Sequence, residues 1–383
     1  MKTLRNLSLA VLALYSIVHL GCESAKPPEP ETTVQQELQT ALNNVFSTYG
    51  GKGISAAVVL PDGRLWRGTA HVGGSAPVTT DQVFWIASIT KMFTAALTLQ
   101  LVDEGRLGLD DPLSDFLPPF AYVDSSITIR QLLNHTSGVF DYSNHPHYDE
   151  IINEDPSKIW TPEEIVTRLF YDPYFAPGEG WRYSSGGYIL LGMVIEQVTG
   201  KKVSEEFKER FYEPLGLSST FLDGEEPATS PFANFWADLD HDGVEEEIPI
   251  LAVERYSMTT SAYTAGALFS TAEDVARWTD ALFGRKVVLS QGMLDLMLDF
   301  YMDVPEDFGW SGYGMGAAIF RPSMVHGLYA YGHGGWGAYE ISAAAYLPAY
   351  DVTITILLNS QNWPLWEKSM DALCRVIKGR YAR

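Results

Sequence analysis

Val34, Leu38, Leu42, Val45, Phe46 and Tyr49 recur at helical spacing, so residues 34–49 form an amphipathic helix that Gly50-Gly51 stops. Ile54–Leu60 and Leu65–Ala70 read as strands joined at Pro61-Asp62-Gly63, a hairpin turn signal. Near the other end, Ala338–Leu347 and Val352–Asn359 form a second hairpin, and Thr353-Ile354-Thr355-Ile356 alternates as a strand does. Leu365, Trp366, Met370, Leu373, Cys374 and Ile377 line one face of a last helix, where Cys374 serves as a small apolar core residue. Between the two ends the pattern turns helical, most clearly at Ser88–Glu104, Thr161–Phe170, Gly187–Thr199 and Val203–Phe211. The fold class that follows is α+β: an antiparallel sheet flanked by terminal helices, with a large helical lobe inserted into it. The expected domain spans 34–383, with an α/β lobe at 34–85 and 260–383 and a helical lobe at 86–259. No internal repeat interrupts this plan.

The first residues follow a different logic. Lys2 and Arg5 precede an uncharged apolar run, Leu7–Leu20, too short to span a bilayer comfortably and suited to an export signal. His19-Leu20-Gly21-Cys22 is similar to a bacterial lipobox, although His19 stands where an aliphatic residue is usual. Residues 1–21 are therefore expected to be a signal peptide and Cys22 a lipidation site. Residues 22–33, rich in Pro and Glu, would be an extended tether. The expected location is the cell envelope, with the membrane reached only through the lipid.

Charge narrows the partners. Lys plus Arg number 26 against 48 Asp plus Glu, a formal net charge of −22, which repels nucleic-acid phosphates. Cys22 and Cys374 are the only cysteines, which excludes a disulfide framework and a cysteine-based zinc site.

Three short motifs carry the chemistry. In Ser88-Ile89-Thr90-Lys91 the lysine lies one helical turn from the serine, and Met92–Val102 is apolar on nearly every face. A lysine buried with that helix loses its proton readily, and a neutral amine can take the proton of a hydroxyl beside it. Alone, the motif equally describes a serine cap with a snorkelling lysine. Tyr183-Ser184-Ser185 follows a glycine-rich loop, a setting that presents side chains to a cleft, and a phenol near an ammonium can titrate low and relay protons. Gly332-His333-Gly334-Gly335-Trp336-Gly337 precedes the last hairpin, and a strand stripped to glycine admits a substrate backbone closely. There the Trp336 N–H is a candidate oxyanion donor, and His333 a candidate for holding substrate or relaying protons.

In this order the three motifs resemble the serine β-lactamase and penicillin-binding-protein superfamily, above all class C β-lactamases, D-alanyl-D-alanine carboxypeptidases and related esterases. Leu132-Leu133-Asn134-His135-Thr136-Ser137-Gly138 and the stretch from Ala265 to Asp274 strengthen the resemblance, which covers residues 36–380. It implies a metal-independent hydrolase without a cofactor. Ser88 would be the acylated nucleophile, Lys91 its general base and Tyr183 the proton shuttle. Ser185, His333, Gly335 and Trp336 would bind substrate, with the N–H groups of Ser88 and Trp336 as the oxyanion hole.

Two positions depart from the family pattern. Ser185 stands where asparagine is usual and offers one hydroxyl in place of an amide, which moves weight toward esters. Gly334 replaces a common threonine. The expected activities, in order, are D-alanyl-D-alanine carboxypeptidase or a related D-amino-acid peptidase, carboxylesterase, and class C-like β-lactamase. A non-catalytic sensor of wall fragments or penicillins comes last. The expected substrate is a small-molecule or peptidoglycan-derived acyl compound. Asp238-Leu239-Asp240-His241-Asp242-Gly243 matches the start of a calcium loop, but Pro249 occupies the twelfth position, so it reads better as an acidic hairpin tip. His135, His145, His147, Asp149 and Glu150 lack a ligand ladder and read as loop residues beside the cleft.

Overall fold

The computed structural model describes residues 33–72, 77–238, 242–248, 255–304 and 309–382. The expected signal, lipidation site and all but the last residue of the tether lie outside these residues. Residues 34–383 make one compact unit. Its frame is a seven-stranded antiparallel sheet formed by β1 (Gly53–Val59), β2 (Leu65–His71), β3 (Trp310–Tyr313), β4 (Ala318–Phe320), β5 (Tyr331–Trp336), β6 (Ile341–Leu347) and β7 (Val352–Leu358). Their order across the sheet is β2-β1-β7-β6-β5-β4-β3. The first and last strands in the chain therefore pair next to the β2 edge, where Ile54 is registered with Leu358.

Alternation decides which face each strand buries. Ile54, Ala56, Val58, Ile341, Ala343, Ala345, Ile354 and Ile356 point outward and are covered by α1 (Val34–Tyr49) and the last helix, Trp363–Tyr381, through Leu38, Leu42, Leu365 and Leu373. Each fully buried leucine or isoleucine there contributes roughly 1.5–3 kcal/mol. Cys374 belongs to this layer, and burial pushes its thiol pKa up, as suits an inert core residue.

The opposite face carries the helical lobe. Its central helix, α2 (Thr90–Asp103), is buried on nearly every side, and Phe93 stacks on Trp278 with ring centroids 3.9 Å apart. Helices at Pro162–Leu169 and Val203–Phe207, and α3 (Ser185–Thr199), follow the expected pattern, with glutamates or Gly200 setting their ends.

Several elements differ from the sequence expectation. Strands β3 and β4 were not anticipated, because Gly312, Gly314 and Gly316 interrupt the apolar run. The region after residue 260, expected to belong to the sheet lobe, also supplies α4 (Tyr263–Gly266), α5 (Ala272–Thr279) and a helix at Gln291–Met297. Two small sheets join Phe84–Trp85, Leu268–Ser270 and Phe221–Leu222, and pair Phe235–Ala237 with Glu246–Ile248. The second is the hairpin whose acidic tip was expected. Asp240 lies outside the described residues, and the Asp238 carboxylate accepts the N–H groups of Asp242 and Gly243, so it closes its own turn. Among the described residues no helix is long and apolar enough to cross a membrane.

Candidate active site

The S-x-x-K motif sits at the start of α2. Ala87–Ile89 form a single 3-10 turn before it, and Ala87 is held at φ +46°, a left-handed conformation that costs an ordinary L-residue about 1–3 kcal/mol. The sheet holds this turn. Ser342 Oγ donates to the Ile86 carbonyl at 3.0 Å, and a Cβ on Gly335 would stand 2.3 Å from the same oxygen.

Lys91 is fully buried, and its Nζ lies 3.0 Å from Ser88 Oγ, 3.3 Å from Ser185 Oγ and 2.8 Å from the Ala265 carbonyl. Burial lowers its pKa to about 7, against a partial opposing pull from the Asp141 carboxylate. Near neutrality a substantial share of Lys91 is thus an uncharged amine beside a hydroxyl. Its nitrogen also lies over the Tyr183 ring, 4.9 Å from the centroid.

The Y-S-S segment is tied to the stretch around His135. Ser184 N–H donates to His135 Nδ1, Ser184 Oγ to the Phe140 carbonyl, and Ser185 N–H to Asp141 Oδ2. The last bond fixes the first residue of α3. Asp141 also accepts from the Ser143 N–H and hydroxyl, so one carboxylate joins two loops beside the amine. The sequence reading missed Asp141, and its only signal was its place three residues after the His135–Gly138 stretch.

Tyr183 faces Ser88, but burial drives the phenol pKa well above its ordinary value, and the Ser88 hydroxyl offsets only part of that rise. The expectation of a phenol titrating low is corrected: desolvation, with Asp141 adding to it, outweighs the Ser88 hydrogen bond, so Tyr183 stays protonated.

His333 also moves from its expected place. It is fully buried, beneath the cleft rather than in its wall. A carbonyl can only accept, so His333 Nδ1–H donates to Gly334 O and the unprotonated Nε2 accepts from the Tyr313 hydroxyl at 3.0 Å. Burial, helped by Lys91, lowers its pKa to about 3. The direct hold on substrate expected of His333 is therefore corrected to a neutral bond beneath the floor, made because strand alternation turns this side chain inward.

Gly335 packs against the 86–88 turn, whereas Trp336 lines the cleft. Strand β4 pairs with β5 only at Tyr331 and Gly332, so among the described residues no strand is registered with the rest of that edge. Gly337 N–H points to β6, where it meets the Glu340 carbonyl. Alternation therefore turns the Trp336 N–H away from β6, toward the β4 side.

The cleft encloses about 610 Å³ and is walled by Trp85, Tyr142, Tyr148, Tyr183, Trp336 and Tyr339, with Ser88 and Ser185 also exposed to it. Asp141, Asp149 and Arg182 are its charged lining, and Arg182 stacks over Tyr174. His145, His147 and Glu150 remain outside this lining. Among the described residues no three His, Cys, Asp or Glu side chains converge as metal ligands.

The family model described as beta-lactamase matches residues 34–372. Penicillin-binding protein 4 of Amycolatopsis lactamdurans is 29% identical over 328 residues, covering 80% of each chain. Two solved structures share the architecture. The D-stereospecific amidohydrolase of Streptomyces sp. is 29% identical with a TM-score of 0.73, over 88% of this chain and 98% of that one. The D-amino acid amidase of Ochrobactrum anthropi SV3, complexed with D-phenylalanine, is 25% identical with a TM-score of 0.76, over 91% and 99%.

Proposed function

We propose, from the premise that this chain belongs to the beta-lactamase family, that it is a serine hydrolase acylated at Ser88 and acting on peptides or amides of D-amino acids. The observation that carries this reading is the fully buried Lys91 amine 3.0 Å from the Ser88 hydroxyl.

In the proposed reaction neutral Lys91 takes the Ser88 proton as Oγ attacks the substrate carbonyl carbon. The Ser88 and Trp336 N–H groups receive the oxyanion. Tyr183, held protonated, gives its proton to the leaving amine as the carbon–nitrogen bond breaks, and Lys91 returns a proton to the phenol. Water then attacks the ester by the same route reversed.

Charge supports an order within the class. A D-alanyl-D-alanine carboxypeptidase must hold a terminal carboxylate, and neutral His333 offers no cation for it. Arg182 is the cleft-lining side chain that would, while Asp141 and Asp149 favour a substrate bearing an ammonium. D-amino-acid amides therefore rank above acyl-D-alanyl-D-alanine. A second reading, carboxylesterase, draws support from Ser185, whose hydroxyl is engaged by Lys91 and is too short to replace an amide side chain.

The deciding experiment measures turnover of D-phenylalanine amide, an acyl-D-alanyl-D-alanine peptide, p-nitrophenyl esters and nitrocefin on one preparation. Preference for the amide supports the first reading, and hydrolysis of esters alone replaces it with the second. Export through residues 1–21 and lipidation at Cys22 belong to the proposal on the strength of the sequence. Loss of radiolabelled palmitate incorporation in Cys22→Ala tests them.

A further inference from the structure

The turn that joins β5 to β6 supplies one wall of the catalytic cleft. Gly337, Ala338 and Tyr339 line it, and the Gly337 N–H closes the turn on the Glu340 carbonyl at 3.2 Å. Gln361 braces it, donating from Nε2 to the carbonyls of Gly337 and Ala338 at 2.7 and 2.9 Å. Glu340 is only 1% exposed and takes no part in the lining, so its side chain lies behind the wall. A Cβ on Gly337 would stand 2.1 Å from Glu340 Oε1 and 2.6 Å from the Trp85 ring, so carboxyl and indole close on the same backbone atom. Trp85 opens the segment Trp85-Ile86-Ala87-Ser88, and its Nε1–H donates to the Gly266 carbonyl. Glu340 therefore sits at the seam between the segment that carries Ser88 and the strand that carries Trp336, the two residues whose N–H groups the proposed reaction uses.

The surroundings suit an acid and not its anion. Among the described residues neither carboxyl oxygen forms a well-directed hydrogen bond, and no cation pairs with them. Burial raises the Glu340 pKa well above the ordinary carboxyl value, and the Tyr339 backbone opposes that rise only in part. The titratable group that faces Glu340 is the Tyr339 phenol, itself pushed up by burial and then by Glu340. Trp85 and Gly337, which press on the carboxyl, carry no charge. An ionised Glu340 would be a buried charge without a partner, and a like charge beside the oxyanion that forms on the substrate.

We propose that Glu340 is a positioning residue of the oxyanion hole that works only as the neutral acid. Protonated, it wedges Trp85 and the β5–β6 turn together; when its proton passes to solvent, the carboxylate drives the turn outward and the hydrolase shuts down at alkaline pH. The effect on turnover rests on the serine-hydrolase reading above, whereas the movement of the turn does not.

Three measurements on the full chain test this, with Glu340→Gln as the neutral isostere and Glu340→Met in its place should the first variant fail to fold. Infrared difference spectra at neutral pH should show a carboxylic-acid carbonyl band in the wild type that the variant lacks. Tryptophan emission should shift to the red as the wild type is taken to alkaline pH, because Trp85 loses its cover, and should stay put in the variant. On the best substrate of the amide and ester panel, wild-type kcat/KM should fall above its optimum by about tenfold per pH unit, as loss of one essential proton requires, and the variant's profile should lack that limb. No difference in the carbonyl band, an emission shift shared by wild type and variant, or a shared alkaline limb each overturns the proposal. Should no substrate of the panel turn over, the serine-hydrolase reading fails, and the spectra and the emission still decide whether Glu340 is a buried acid that moves the turn.

Discussion

The hydroxyl of Ser342 donates to the carbonyl of Ile86, tying the turn that carries Ser88 to a strand 256 residues later. Gly335 faces that turn too, and an added Cβ would meet Ile86 O at 2.3 Å and Ser342 Oγ at 2.5 Å. Gly335→Ala must therefore push β5 away from Ser88. It is expected to cost about 1–3 kcal/mol of stability by overpacking and most of the activity. At Gly334 the nearest atoms stand 3.7 Å away, so Gly334→Ala should keep both. Denaturant melts and turnover on the pair of variants check the contrast.

Ser88→Ala and Lys91→Ala should each lower kcat at least about a thousandfold, and the double variant little further, because proton acceptor and nucleophile act as one unit. Near-normal turnover in Lys91→Ala would remove Lys91 from the proton transfer.

Activity should rise with pH through about 7, since the ammonium form of Lys91 cannot accept the Ser88 proton. Around Lys91, His135 and His333 are buried and held neutral, and Tyr183 and Tyr188 are pushed high, which leaves Asp141 as the charged neighbour. Asp141 raises the lysine pKa, so Asp141→Asn should move the acid limb of kcat/KM to lower pH. A limb that stays put would make Asp141 a purely structural tie. The same burial works on folding. Between about 7 and 10.5 the unfolded chain binds a proton that the folded Lys91 does not, so its contribution to stability grows with pH across that window.

Tyr313→Phe deletes the donor to His333 Nε2 and leaves a buried acceptor unmet. The expected loss is about 1–3 kcal/mol of unfolding free energy, read from the shift of the denaturation midpoint. No loss would mean that His333 finds another donor.

Ser185→Asn should raise turnover of amides and β-lactams relative to esters, since it restores an amide side chain in the cleft wall. An unchanged ratio would refute this account of the position.

Much of the fold was written in periodicity. The terminal helices and the strands β1, β2, β6 and β7 have regular apolar faces, and each appears within a few residues of its expected span. Strands β3 and β4 are short and bounded by glycine, so no local period marks them. The resemblance carried by the motifs implied one site for Ser88, Lys91, Tyr183 and Ser185; Ser88, Tyr183 and Ser185 line one cleft, and Lys91 is buried beside Ser88. It did not imply Asp141, the Ala265 carbonyl or the depth of His333, because each depends on which loops tertiary packing brings against α2. The phenol of Tyr183 shows the same limit, as its pKa is governed by burial, which a linear motif does not encode.

The outer layer of the sheet has a consequence for engineering. α1 opens the unit and the last helix closes it, and Arg380 pairs with Glu37 at 3.0 Å, so the two termini emerge side by side. A short linker could join residue 382 to residue 34, with new ends opened in the exposed Asp62–Gly63 turn. Such a circular permutant would keep every residue of the cleft in its original neighbourhood.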